Sequence, residues 1–133
     1  MGKEARKRRN REDLDLAPEV REKFEELVAL LSAHGFGSEG PPIDTTFAQI
    51  EAFGHQAGRM LARAIDEHAT EDHSEHFRGA RQCPLCETHT GEEPQRKGRA
   101  LQTVDGDVTL DELACHCPVC DRDFFPSAAQ TAD

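Results

Sequence analysis

Cys83-Pro84-Leu85-Cys86 and Cys117-Pro118-Val119-Cys120 are two copies of one short turn, with thirty residues between them. A Cys-x-x-Cys bend places two sulfurs on the same side of the chain. Two such bends therefore supply four thiolates at about 2.3 Å from one tetrahedral ion. Proline after the first cysteine presets φ and lowers the entropy lost on closing each turn. A redox dithiol needs only one pair, set at the head of a helix in an α/β domain, and no βαβ alternation is present here. The fifth cysteine, Cys115, lies two residues before Cys117 and on the same strand face. It could stand in for Cys117, but only Cys117 completes a Cys-Pro-x-Cys turn. Cys83, Cys86, Cys117 and Cys120 are thus the expected ligands of a structural Zn2+, with no open position at which water could be activated.

Between the turns, Ala100–Val104 and Val108–Leu110 flank Asp105-Gly106-Asp107, a hairpin signal between two extended runs. The second strand is expected to continue through Leu113 toward Cys117. Phe124, Phe125 and Pro126 follow the second turn and are expected to cover the apolar face of the hairpin. A knuckle, a β-hairpin and a second knuckle make a zinc ribbon over residues 79–126. Glu87 and Asp121 directly follow the knuckles, where the backbone passes through positive φ and glycine is the easier occupant. At this size, with few large apolar side chains, such a module depends on its metal.

Upstream the pattern is helical. Pro18 suits a first-turn position, Glu19 and Glu22 favour the positive end of a helix, and Val20, Phe24, Leu27, Leu30 and Leu31 form one face, so the spacing predicts a helix from Pro18 to Ala33 with Gly35 as its stop. Gly35–Pro42, with three glycines and two prolines, is a loop. Thr46 with Gln49 forms a capping box for a second helix, Thr46–His76, whose stripe runs Phe47, Ile50, Ala57, Leu61, Ala64, Ile65, His68. Gly54, Gly58 and Ala62 add a ridge of small residues, and each glycine in a helix costs about 1 kcal/mol relative to alanine. Close approach of another backbone, from the first helix or from a second copy, is the least strained explanation. Residues 14–78 are therefore expected to form a helical hairpin, able to dimerise. His68, His73 and His76 sit among Glu67, Glu71, Asp72 and Glu75 and read as a solvated face, not a metal site. The fold class is α+β.

The net charge is −10, unevenly spread. Residues 1–12 carry six basic and two acidic side chains, so residues 1–13 read as a disordered basic arm and the remainder as an acidic body. Residues 127–133 read as a flexible tail. No apolar run is long enough to cross a membrane and no secretory leader is evident, so a cytoplasmic protein without membrane partners is expected.

The composite Cys83–Cys86, then Gly98-Arg99-x-Leu101-x-Thr103-Val104-x-Gly106-x-Val108-x-Leu110, then Cys117–Cys120 with Phe124-Phe125-Pro126, resembles the N-terminal zinc-binding region of Kra-type insertion-sequence transposases. Pro42-Ile43-Asp44-Thr45-Thr46-Phe47 and the Gly54/Gly58 helix are similar to the helical leader of the same proteins. The resemblance spans residues 17–126. It implies an RNase H-like catalytic domain farther on, with three acidic residues holding two metal ions. Only seven residues follow Pro126 in this sequence, so no catalytic carboxylate is carried over. The expectation is a truncated N-terminal fragment, not an enzyme.

What the resemblance implies for partners is DNA at insertion-sequence ends, and homodimer or transposase subunits through the helices. Arg96, Lys97 and Arg99 form the best local patch for phosphate, helped by the basic arm. Residues 79–126 nonetheless hold five basic against nine acidic side chains. Phosphate contacts dominate affinity for nucleic acid, and that balance favours an alternative: a zinc-ribbon adaptor that binds protein and not DNA.

Overall fold

The computed structural model describes residues 13–127. The basic arm expected over residues 1–13 and the tail expected over 127–133 lie outside the described residues, apart from Asp13 and Ser127. Two helices precede a small three-stranded antiparallel sheet, an α+β arrangement. The chain divides into two compact units, Met1–Ile50 and Glu51–Asp133. Most of the second helix therefore belongs to the same unit as the sheet.

Helix α1 spans Pro18–Phe36, with Pro18 at its first position and Glu19 in the first turn. The Arg21 amide donates to the Ala17 carbonyl at 2.8 Å, closing that first turn. The end differs from expectation. Gly35 stays helical, and the stop is Gly37, at φ 94°, whose N–H donates to Ala33 O at 2.8 Å. Positive φ is what ends the helix, and of the two glycines only Gly37 adopts it.

Helix α2 spans Phe47–Glu75. Its start is the reciprocal capping box read from the sequence: Thr46 N–H donates to Gln49 Oε1 at 2.9 Å, and Gln49 N–H to Thr46 Oγ1 at 3.2 Å. The Thr46 and Gln49 amides at the helix start are satisfied in this way, with Gln49 N–H also reaching Thr46 O at 3.1 Å.

Strands β1 (Gln95–Thr103), β2 (Gly106–Cys117) and β3 (Arg122–Phe124) follow, with β2 in the centre. Thr103 pairs with Gly106, so the hairpin turn is Val104-Asp105, one residue earlier than the Asp-Gly signal suggests. Gly106, at φ 115°, is the first residue of β2 instead of the middle of the turn. Thr103 secures the change: its hydroxyl donates to Gly106 O at 2.7 Å and accepts the Asp105 N–H at 3.1 Å. Such a hydroxyl supplies the hydrogen bonds of a turn that glycine permits.

The buried apolar residues are Val108, Leu110, Leu113 and Ala114 together with Cys83, Cys115 and Cys117. All but Cys83 lie on β2. Alternation assigns Val108, Leu110, Glu112 and Ala114 to one face, and Leu113, Cys115 and Cys117 to the other. Phe124 and Phe125 are half-buried and Pro126 is buried, so the C-terminal segment does cover part of the sheet.

Within the second unit α2 is fastened to the hairpin by polar side chains. Arg63 Nη1 donates to Asp105 O at 2.9 Å, and Thr109 N–H donates to Glu67 Oε2 at 3.0 Å. Glu75 pairs with Arg96. Since the Thr109 N–H points away from β1, Glu67 satisfies a donor on the open edge of β2 that would otherwise be left for water or another chain.

Candidate metal centre

The first knuckle is closed by a single antiparallel bridge and the second by a short antiparallel ladder. At the first, Gln82 bridges His89, Cys83 N–H donates to Thr88 O at 2.9 Å, and Glu87 N–H returns to Cys83 O at 2.9 Å. At the second, Cys117 pairs with Arg122 across β2 and β3, and Cys120 N–H points at Cys117 Sγ, 3.4 Å away. β3 was not foreseen from the sequence; three residues of Arg-Asp-Phe carry no periodicity long enough to read. Its role is to hold the second bend closed as Gln82 and His89 hold the first.

Each bend then leaves through positive φ, at Glu87 (63°) and Asp121 (52°). Among the described residues these are the only non-glycine positions with positive φ. The two turns therefore share a positive-φ exit as well as the Cys-Pro-x-Cys pattern. For an L-residue that conformation costs about 1–2 kcal/mol.

The turns bring Cys83, Cys86, Cys117 and Cys120 together, with every sulfur within 4.8 Å of the others. Across the knuckles, Cys86 Sγ lies 3.5 Å from Cys117 Sγ, and Cys83 Sγ lies 3.9 Å from Cys120 Sγ. Cys83 and Cys117 are buried, while Cys86 and Cys120 stand nearer the surface. All four are free thiols. Among the described residues this is the group whose ligand atoms converge.

Electrostatics set two of the four thiols apart. The Thr88 hydroxyl, 3.1 Å from Cys86 Sγ, and the Thr88 backbone amide hold the Cys86 thiol down at about 6. Cys120 is pushed up to about 12, chiefly by its hydrogen bond with Cys86, then by burial and by Cys83 and Cys117. The Cys86 proton leaves readily, and the Cys120 proton is held hard. Four sulfurs this close become four thiolates only against a cation, which is the condition for metal binding. The donor set and its spacing fit a metal ion.

Cys115 is outside this set. It is buried, its Sγ lies 4.0 Å from Ala80 O, and burial raises its pKa. Of the two cysteines on that strand face, Cys117 is the one that joins the cluster. His116, on the opposite face, bonds Asp123 through Nδ1 at 2.9 Å and lies 3.3 Å from Asp121 through Nε2. The hydrogen bond to Asp123 raises its pKa. The helix histidines do not converge: His68 pairs with Asp72 at 3.4 Å, and His73 meets the Phe77 ring edge-on at 5.1 Å.

Arg96, Lys97 and Arg99 all lie on β1, and alternation separates them. Arg96 is on one face, bound to Glu75 and donating to Asp111 O at 3.2 Å. Lys97 and Arg99 are on the other. Lys97 pairs with Asp123. Arg99 donates to Glu112 Oε1 through Nε at 2.9 Å and Nη2 at 2.6 Å, and its guanidinium lies 5.2 Å from the centre of the Phe125 ring. Glu112, with its side chain 3% exposed, also accepts from Ser127 Oγ at 2.8 Å. Each of the three cations thus already holds a carboxylate of its own chain. Glu112 was missed because a glutamate in a strand reads as surface. The available signal was its place in the period-2 row Val108, Leu110, Ala114.

Among the described residues no helix is long and apolar enough to cross a membrane. Compared with known protein families, curated proteins and solved structures, the chain matches none.

Proposed function

We propose that this chain is a zinc-ribbon recognition module of the kind that leads insertion-sequence transposases, acting on DNA ends without catalysing their cleavage. The observation that carries the reading is the convergence of Cys83, Cys86, Cys117 and Cys120 at two matched knuckles. Tetrahedral zinc–thiolate bonds of about 2.3 Å imply sulfur–sulfur edges of about 3.8 Å. Two of the four cross-knuckle edges, at 3.5 and 3.9 Å, bracket that value. Soft thiolates in a tetrahedron select zinc over hard cations. With all four positions filled by protein the ion is structural. Structural zinc contributes about 10–16 kcal/mol of apparent binding energy, enough to fold a ribbon whose core is four aliphatic residues and three cysteines.

The DNA part of the proposal draws on the resemblance and on the basic residues 1–12. Its test is binding of the zinc-loaded chain to duplexes carrying insertion-sequence terminal repeats, measured across a salt series. Affinity should fall steeply as salt rises. No binding at low salt, with zinc loaded, would sink it.

A second reading is favoured by the ion pairs: a ribbon whose Arg96, Lys97 and Arg99 are engaged by Glu75, Asp123 and Glu112 serves protein recognition instead. Under either reading the helices offer a route to self-association, since α1 has no buried residue and exposes Phe24, Leu27 and Val28. Sedimentation of the full chain over a concentration series tests this. A mass that stays monomeric at all concentrations would exclude it.

A further inference from the structure

The two knuckles repeat a surface as well as a ligand geometry. Pro84 and Leu85 stand exposed ahead of Cys86, and Pro118 and Val119 stand exposed ahead of Cys120. Leu85 is 66% and Val119 68% exposed, so neither contributes to the core. A carboxylate follows each second cysteine, Glu87 and Asp121, and both are exposed.

Glycine at either carboxylate position would relieve the backbone, yet both hold an acidic residue at positive φ. Conformational strain kept at two equivalent places is a sign that the side chains are used. Glu87 has no ion pair among the described residues, and Asp121 meets only His116. Arg122 directly follows Asp121 in the chain but pairs with neither carboxylate among the described residues. A zinc ion with four thiolates adds a formal charge of about −2 at the same end. Phosphate is repelled from such a surface, and Lys or Arg is attracted.

We propose that the knuckle end of the ribbon is a docking surface for a basic, amphipathic protein segment. That segment offers aliphatic side chains to Leu85 and Val119 and cations to Glu87 and Asp121. Paired apolar knobs with a charged rim match the usual anatomy of a small protein interface. The inference rests on the metal-centred reading of the knuckles, and it holds whether or not other parts of the chain touch DNA.

The test is titration of the zinc-loaded, 15N-labelled full chain with a synthetic amphipathic peptide of leucine and lysine. A leucine–glutamate peptide of equal length and a DNA duplex serve as parallel probes. Amide shifts should concentrate at residues 84–88 and 118–122 and occur with the lysine peptide alone. The double variant Leu85→Ser/Val119→Ser should weaken binding about tenfold, and Glu87→Gly/Asp121→Gly several-fold, both with zinc retained. Shifts spread over the acidic side of α2, unchanged affinity in both variants, or a duplex that moves the same amides would each overturn the proposal. Zinc bound at one per chain with no peptide shifts removes the docking surface alone. A chain that takes up no zinc removes the metal reading and the docking surface with it.

Discussion

Arg63 on α2 donates from Nη1 to the carbonyl oxygen of Asp105, 2.9 Å away and 42 residues later, so the helix is fastened to the tip of the β-hairpin. The same side chain explains Gly106. A Cβ there would lie 3.1 Å from Arg63 Nη1, and the residue already sits at φ 115°. Replacing Arg63 by alanine should destabilise the zinc-loaded protein by about 1–2 kcal/mol, as loss of a charged donor to a part-buried carbonyl does. Arg59→Ala, one turn earlier and exposed, should stay within about 0.5 kcal/mol. Denaturant midpoints measure both. Equal effects would show that Arg63 carries no specific contact.

Arg99 and Glu112 should behave as a buried pair, not as a surface one. Arg99→Ala leaves a nearly buried carboxylate with only the Ser127 hydroxyl, and should cost about 3 kcal/mol. The double variant Arg99→Ala/Glu112→Ala should recover part of that loss. Arg96→Ala and Lys97→Ala, whose pairs are more exposed, should each lose much less. If all three single variants lost the same small amount, the β1 cations would be a solvated row and free for phosphate.

Glu75 offers a test by titration. Arg78 first, and then Arg96, hold its carboxyl below the ordinary value of 4.5. A depressed carboxylate stabilises the fold above its unfolded pKa, and that contribution is lost as pH falls through the folded value. Carboxyl NMR titration should place the Glu75 midpoint below 4.5. Arg78→Ala should raise it more than Arg96→Ala does. The reverse order would make the contact with β1 the stronger one.

Glycine at the knuckle exits should stabilise the fold. Glu87→Gly and Asp121→Gly remove positive-φ strain at 63° and 52°, offset by the greater freedom of glycine in the unfolded chain. A net gain of about 0.5–1 kcal/mol each follows. Thermal midpoints of the zinc-loaded variants measure it. A loss of stability at either site would mean that the carboxylate makes a contact outweighing the strain.

Much of the architecture could be read directly from the chain because its signals are local. The Thr46/Gln49 box, Pro18 and the paired Cys-Pro-x-Cys turns each specify a structure within four residues. The positive φ of Glu87 and Asp121 was legible for the same reason. What escaped was long-range or short in extent. Arg63, Glu67 and Glu75 face the hairpin only because α2 and the sheet share a unit, and nothing in their spacing announces it. β3 is three residues long. The basic triplet on β1 looked like one patch in sequence and is split by the pleat of the strand, with Glu112 buried against its far side.

The most direct test is the zinc content of the purified chain, read as metal-to-protein stoichiometry by native mass spectrometry. One zinc ion per chain should be present in the wild type and in Cys115→Ser, and absent in Cys83→Ser and Cys117→Ser. A folded wild type without metal, or an ion that survives Cys117→Ser and is lost with Cys115→Ser, would contradict the metal centre described for Cys83, Cys86, Cys117 and Cys120.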